Sequence, residues 1–478
     1  MPSTFRNLAL IAATLIVCST VTVQGREQAE TQKLTLAAAP GFSVLKAAEK
    51  QQAWMRVGLK GFHLKREGER APINVAIVLD RSGSMQGEKI QRAREAAIGA
   101  LELLSSDDIV SIIAYDSDVN VLVPATKLTD KEQVASIIRA IQPGGNTALF
   151  GGVSKGAAEV RKFMDDKHVN RIILLSDGLA NVGPSSPGEL GDLGASMKKE
   201  NISVSTLGLG LGYNEDLMVQ LAGQSGGNHQ FIENAAELAS IFRREFDDVL
   251  SVVAQSIDVK IDIPEGIRPV RVLGNAADIN GQSVITRLSQ VYSDQQKHVV
   301  VEVEIPADLA QATVDSNGSE VAKPAQLATV SVSYMNMVSQ TTETLIGEVS
   351  VSFSSSDEKV KASVNNSVMA DVVALVASEQ NKMATDLLDR GDILGCRKSL
   401  EENALFLNAN ADAYESESLK ELAKSNLDQL GRLKDVTSNA APEAKSARKI
   451  MRFLQSETDS LQSKPASNKS GTGTIAEP

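Results

Sequence analysis

The chain has 478 residues, long enough for two to four domains, since a single core seldom grows past about 250 to 300 residues. Hydrophobic residues make up 42% of it, enough to bury sizeable cores. Sixty acidic against 48 basic residues give a formal charge of -12, which argues against nucleic acid or an anionic membrane surface as the main ligand.

Arg6 and the free amine precede an apolar stretch from Leu8 to Val23, and Val23-Gln-Gly25 supplies small or modest residues before Arg26. Residues 1–25 therefore read as an export signal cleaved after Gly25. The alternative is an uncleaved membrane anchor, although the apolar run is slightly short for a span. If Cys18 leaves with the signal, only Cys396 remains and no internal disulfide can form. Cys396 lies among apolar neighbours in a helical pattern and reads as a small core residue.

Residues 26–71 form an N-terminal segment with two strand signals, a short one at Leu34–Leu36 and the alternating Trp54–Leu59. No companion strands lie near them, so their natural partners are the strands beyond residue 250. Residues 72–248 then alternate strand and helix, the pattern of a mostly parallel sheet covered on both faces.

In that stretch the apolar run Ile73–Leu79 leads into Asp80-Arg-Ser-Gly-Ser84 and an amphipathic helix over Glu88–Leu104. Ile109–Tyr115 and Val119–Val123 are joined by the tight Asp116-Ser-Asp118 turn, which makes one edge antiparallel. A helix over Lys131–Ile141, the glycine loop Pro143-Gly-Gly-Asn-Thr147 and a helix reaching Phe163 follow. The strand beginning at Arg171 ends in Asp177-Gly178. Ile202–Leu209 and Asn228–Ile232 are the last strands, with helices at Glu215–Ala222 and Leu238–Leu250.

Strand ends that carry carboxylates and hydroxyls suit a site, because ligands of open α/β sheets bind outside the carboxyl ends of the strands. Small oxygen ligands at alternate positions let one tight loop aim several oxygens at a hard cation. Taken alone, the pentad reads equally as a helix cap, with Ser82 or Ser84 capping and Asp80 favouring the positive helix end. The complete set, Asp80, Ser82, Ser84, Thr147 and Asp177, resembles the metal-ion-dependent adhesion site of von Willebrand factor type A domains, in the family's order. The resemblance covers residues 72–248. It implies a doubly wound, Rossmann-like α/β domain in which Ser82, Ser84 and Thr147 bind a metal directly or nearly so, and Asp80 and Asp177 partly through water. An ion held this way is short of anionic ligands, and a partner's Asp or Glu is its natural last ligand. With all-oxygen ligands, Mg2+ is the first choice of ion, followed by Mn2+ or Ca2+.

Other signals in the domain look chemical but read otherwise. Gly152-Val-Ser-Lys-Gly156 spells a nucleophile elbow, yet no strand leads into it. Gly208-Leu-Gly-Leu-Gly212 follows a late strand and lacks full dinucleotide-loop spacing. Asp80 at a strand end suggests a phosphatase nucleophile, but Ser82 stands where the general acid belongs. The four histidines, His63, His168, His229 and His298, are isolated, with no zinc-protease spacing.

Residues 249–363 change to strands without helices, at Ile257–Ile263, Val270–Leu273, Val299–Ile305, Leu327–Tyr334 and Val349–Phe353, which reads as a β-sandwich. The α/β domain is then an insertion between its strands. Residues 364–463 are helical, with Val372, Leu375, Val376, Met383 and Leu387 on one apolar face, Leu400, Ala404 and Leu407 on a second, and Ile450, Phe453, Leu454 and Leu461 on a third. Residues 464–478 read as a disordered tail.

These readings point to a non-enzymatic, divalent-metal-dependent binding protein, periplasmic, at the cell surface or secreted, that captures a protein through an Asp or Glu carboxylate. Arg81, Met85 and the Tyr213-Asn-Glu-Asp216 loop are expected to shape which partner is accepted. A structural scaffold of an envelope complex and an unrecognised hydrolase are the alternatives.

Overall fold

The computed structural model describes residues 32–64, 70–274, 276–314, 320–321 and 323–459. The expected export signal, the tail 464–478 and Leu461 lie outside the described residues. The chain divides into two units, 1–32 and 33–478, and every element below belongs to the second.

Strands β1 (Thr35–Pro40), β2 (Val44–Lys46) and β3 (Gln51–Lys60) come first. The α/β domain then runs β4 (Ile73–Asp80), α1 (Glu88–Leu101), β5 (Ile109–Tyr115), β6 (Val119–Lys127), α2 (Lys131–Arg139), α3 (Leu149–Val160) and β7 (Val169–Ser176). It continues with α4 (Pro187–Lys199), β8 (Ile202–Leu209), α5 (Glu215–Ser225), β9 (His229–Ile232) and α6 (Leu238–Leu250). Every residue of β4, β5, β7 and β8 is buried, the condition a parallel strand meets when helices cover both faces. Apolar residues of α1, α2 and α6 pack on one face, and those of α3, α4 and α5 on the other.

The strand order is β6-β5-β4-β7-β8-β9, with β5–β6 antiparallel and the other pairs parallel. The chain winds outward from β4 to one edge, then returns to β7 and winds to the other. The reversal lies between β4 and β7, so Asp80 and the residue just after Ser176 stand at the switch point where such sheets bind ligands. Helix α4 has no counterpart among the elements expected from periodicity. Its signal is local: Ser186 caps the helix, Glu189 closes a reciprocal capping box and Pro187 fills the first turn.

Beyond α6, ten-residue and longer strands dominate: β10 (Val252–Asp262), β11 (Arg268–Leu273), β12 (Asp278–Asn280), β13 (Ser283–Tyr292) and β14 (Gln296–Ile305). The short β15 (Thr313–Val314) and β16 (Glu320–Val321) form a ribbon, followed by β17 (Ala325–Asn336) and β18 (Thr341–Ser354). One sheet has the order β1-β3-β14-β11 and the other β12-β13-β10-β17-β18-β2. Met55, Val57 and Leu59 of the first share a core with Val259, Ile261 and Val330 of the second. The α/β domain leaves this sandwich after β3 and returns at β10. Both crossing points are held beside the β13–β14 turn: Gly61 N donates to Gln295 O at 2.8 Å and Ser293 N to Ser251 O at 2.7 Å. From β7, the fully buried Arg171 guanidinium crosses to the sandwich, donating to Gln290 Oε1 at 2.7 Å and Tyr292 OH at 3.0 Å.

The chain ends in α7 (Asp357–Ala362), α8 (Asn366–Asp389), α9 (Ile393–Ala413), α10 (Glu417–Arg432) and α11 (Pro442–Asp459). Val372 and Leu375 of α8 pack on Leu273 and Val300 of the four-stranded sheet. Met383, expected on that apolar face, is 57% exposed. Cys396 is fully buried, and burial pushes its thiol up to about 11. On α11 the buried face carries Ala444, Ala447, Met451 and Lys449, whereas Ile450, Phe453 and Leu454 are only half-buried. The helix presents this mixed face because its neighbour is a charged loop of the α/β domain.

Candidate metal centre

Three loops at the switch point are stapled together through their backbones. Gly83 N donates to Gly145 O at 3.0 Å and Gly144 N to Arg81 O at 2.7 Å, which joins the Asp80–Ser84 loop to the Thr147 loop. Asn181 joins the third: its Oδ1 accepts from Thr147 N at 2.8 Å, and its own N–H donates back to Thr147 O at 3.1 Å. Gly145 takes φ +75°, and a Cβ there would stand 2.9 Å from Ser117 Oγ, so glycine is required for this close approach.

All five expected residues are brought together. Ser82 Oγ lies 3.1 Å from Ser84 Oγ, and Ser84 Oγ donates to Asp177 Oδ1 at 2.7 Å. A Cβ built on Gly178 would meet Thr147 Oγ1 at 3.2 Å, Ser84 Oγ at 3.3 Å and Ser82 Oγ at 3.8 Å. Hydroxyls from two loops thus converge on the backbone of a third, in a cradle that any larger residue at 178 would fill. Asp80, Ser82, Thr147 and Asp177 are buried, whereas Ser84 is exposed, so the cradle opens to solvent on one side.

Asp80 stands behind the hydroxyls. Its Oδ1 accepts from Ser82 N at 2.8 Å, and its Oδ2 accepts from Ser176 Oγ at 2.6 Å and Tyr115 OH at 3.3 Å. Burial raises its carboxyl above the ordinary range, opposed by the hydrogen bonds from Ser176 and Ser82. The same burial, with Asp80 alongside, holds the Tyr115 phenol well above its usual value, so it remains a donor. Asp177 divides its two oxygens: Oδ1 faces Ser84 and Oδ2 is paired with Lys89 Nζ. Arg81 turns away to Asp116, 3.1 Å off.

Among the described residues no group of three His, Cys, Asp or Glu side chains is arranged to hold a metal, so hydroxyls must complete any ligand set here. The donor set present is all oxygen, with two carboxylates and three hydroxyls. That chemistry fits a hard dication and not a soft one.

Residues 74–244 match the family model of the von Willebrand factor type A domain. This part of the chain is a von Willebrand factor type A domain. Such domains generally serve protein–protein interaction and adhesion. The fold extends further: a von Willebrand factor type A protein from Catenulispora acidiphila superposes with a TM-score of 0.68 at 15% identity, covering 92% of this chain and 99% of that one. The ArnB paralog VWA2 from Sulfolobus acidocaldarius gives 0.58 at 17% identity, covering 90% and 100%. A Synechocystis protein is 29% identical over 238 residues, 48% of this chain and 56% of that protein. The chain thus spans about half the length of this curated relative.

Two further positions correct the expectation about the rim of the von Willebrand factor type A site. Met85 is fully buried beneath it, and Tyr213 is buried under α11, so neither faces an incoming partner. Asp216 is ion-paired with Arg452. The exposed rim instead carries Leu179, 58% exposed, with Gln86, Asn146 and Asn181. Among the residues that build the centre, Asn181, Ser176, Tyr115 and Lys89 carry no local motif. Gly152 and Gly156, which imitate a nucleophile elbow, let α3 lie close on the sheet: Cβ atoms there would strike the Tyr115 ring at 2.7 Å and Val78 at 2.8 Å. Ser154 is a helical residue of α3. No helix among the described residues is long and apolar enough to cross a membrane.

Proposed function

We propose that this protein is an exported, non-enzymatic binding protein that captures a partner protein through an Asp or Glu carboxylate, with a divalent cation held at this centre. The observation that carries the reading is the convergence of Ser82, Ser84 and Thr147 around Gly178, with Asp177 Oδ1 2.7 Å from Ser84 Oγ. Ser82, Ser84, Thr147 and Asp177 would hold the ion, and Asp80 would support them from behind. When bound, Mg2+ or Mn2+ supplies a Lewis-acidic position that accepts an external carboxylate oxygen. The chain's own groups do the rest: Asn181 fixes Thr147, Ser176 and Tyr115 fix Asp80, and the glycines let the loops approach.

Calorimetric titration with Mn2+ tests the site directly. The wild type should bind one ion, and Asp177→Ala should lose at least about 100-fold in affinity, since even residues that only orient a ligand cost 10- to 100-fold. Retention of partners from envelope extract should then need both the ion and Asp177. Equal retention with and without chelator, by wild type and variant alike, would sink the proposal.

A further inference from the structure

We infer that Lys89 sets the charge of this centre and so selects an anionic ligand, an inference that rests on the reading above. Lys89 is the second residue of α1, outside the five-residue ligand pattern. Its ammonium pairs with Asp177 Oδ2 and is about one-third exposed. It lies near Gly210, where a Cβ would stand 4.0 Å from Nζ. Because Oδ1 faces the hydroxyls and Oδ2 faces Lys89, Asp177 presents one oxygen to the cradle.

The charge count follows from these contacts. Asp80 and Asp177 are two carboxylates, enough to neutralise a dication on their own. The Lys89 ammonium cancels one of them, so a loaded centre carries one net positive charge. Beside the cradle the exposed Gln86, Asn146, Leu179 and Asn181 are uncharged, and the nearby carboxylates Asp116 and Glu88 are already paired with Arg81 and Arg92. One external carboxylate restores neutrality. Lys89 therefore weakens the hold on the ion while strengthening the attraction for the partner, two effects of opposite sign from one side chain.

Opposite signs make the test decisive. In Lys89→Met, Mn2+ should bind about ten-fold more tightly, the scale of one partly screened ion pair released from competition. Acetate, titrated at saturating Mn2+ as a minimal carboxylate, should bind about ten-fold more weakly by the same argument, while neutral acetamide should not distinguish the proteins. Lys89→Arg should restore the wild-type response to acetate, and circular dichroism should show both variants folded. If Lys89→Met leaves both Mn2+ and acetate binding unchanged, or moves them in the same direction, the assignment to Lys89 is overturned and the metal centre stands. If the wild type binds no Mn2+ at all, the premise fails and this inference with it.

Discussion

Two places on the same edge of the α/β sheet gather charge and solve the problem differently. At the metal centre, two buried carboxylates meet one partly exposed ammonium and three hydroxyls, so acceptors outnumber cations in a cradle that opens to solvent at Ser84. A short distance along the edge, the loop after β8 meets α11, and there the charges are matched. Lys449 Nζ, with its side chain 2% exposed, donates to Tyr213 O at 2.7 Å and Glu215 Oε2 at 2.6 Å and lies 3.8 Å from the Tyr213 ring centroid. Arg448 reaches Asp389 and Arg452 reaches Asp216, through Nε contacts that are ion pairs without hydrogen-bond alignment, and Arg452 also donates to Asp389 Oδ2 at 2.6 Å. The difference teaches where a ligand is needed. A closed contact has a cation for each carboxylate, and an open site has fewer cations than acceptors.

The contrast breaks most forcefully at Lys449. Lys449→Ala removes the buried partner of Glu215 and the Tyr213 carbonyl, leaving Glu215 only Arg448 at 3.8 Å. Since breaking a buried pair costs about 3–5 kcal/mol, the loss should fall toward the lower end of that range. Chemical denaturation should show that loss. Because Gly212 lies against the Asp177 carbonyl, where a Cβ would stand 2.9 Å away, the same variant also asks whether the two places are independent. Independent sites add within about 0.5 kcal/mol, so Mn2+ affinity should stay within about three-fold of wild type. A larger change would show that α11 bears on the metal centre. Asp177→Ala is the converse: a large loss of Mn2+ binding with little loss of stability, since its partner Lys89 is partly exposed and can return to water.

Acidification sharpens the comparison at His229, which lies fully buried beneath the closed contact. Its ring bonds Thr206 Oγ1 at 2.9 Å and Tyr213 OH at 3.3 Å. Burial, aided by the Lys449 charge, lowers its pKa to about 3. The folded pKa is depressed, so the folded protein keeps a neutral imidazole where the unfolded chain takes up a proton. Stability from this group is therefore intact above pH 6.5 and falls below it by about 1.4 kcal/mol per pH unit until pH nears 3. A His229→Gln variant should show a flatter stability profile across that window. An unchanged slope would mean that other groups dominate acid unfolding.

The sequence reveals the groups whose signal is local. The apolar runs within β4 and β7, one ending in a carboxylate and the other followed at once by Asp177, are legible, as are the hydroxyls of Ser82, Ser84 and Thr147 in their glycine-flanked loops. Asn181 is not, because it acts between loops and resembles any turn asparagine. Lys89 reads as a surface residue in the first turn of α1 and gains meaning only when Asp177, 88 positions later, folds beside it. Strand β13 is hidden because two of its inward positions are Thr286 and Gln290, and Gln290 is polar in order to receive Arg171. The Tyr213-Asn-Glu-Asp216 loop reads as a shaper of partner choice because nothing in α11 announces that Lys449 will be buried against it, and buried lysines are rare.

The smallest expected effect concerns the neutral rim. Leu179 follows Gly178 directly and stays 58% exposed, an apolar side chain held beside the cradle by the backbone that forms it. A ligand whose carboxylate enters the centre is expected to set its next carbon atoms against Leu179, the exposed apolar residue next to Gly178. Isovalerate should therefore outcompete acetate at saturating Mn2+ by about three-fold, the value of partly burying one or two methyl groups worth about 0.8 kcal/mol each when fully buried. Leu179→Ser should abolish that preference while leaving acetate and Mn2+ binding unchanged, because the serine touches neither the ion nor its ligands. If the two carboxylates bind the wild type equally, the rim contributes no apolar contact, and selection rests on charge alone.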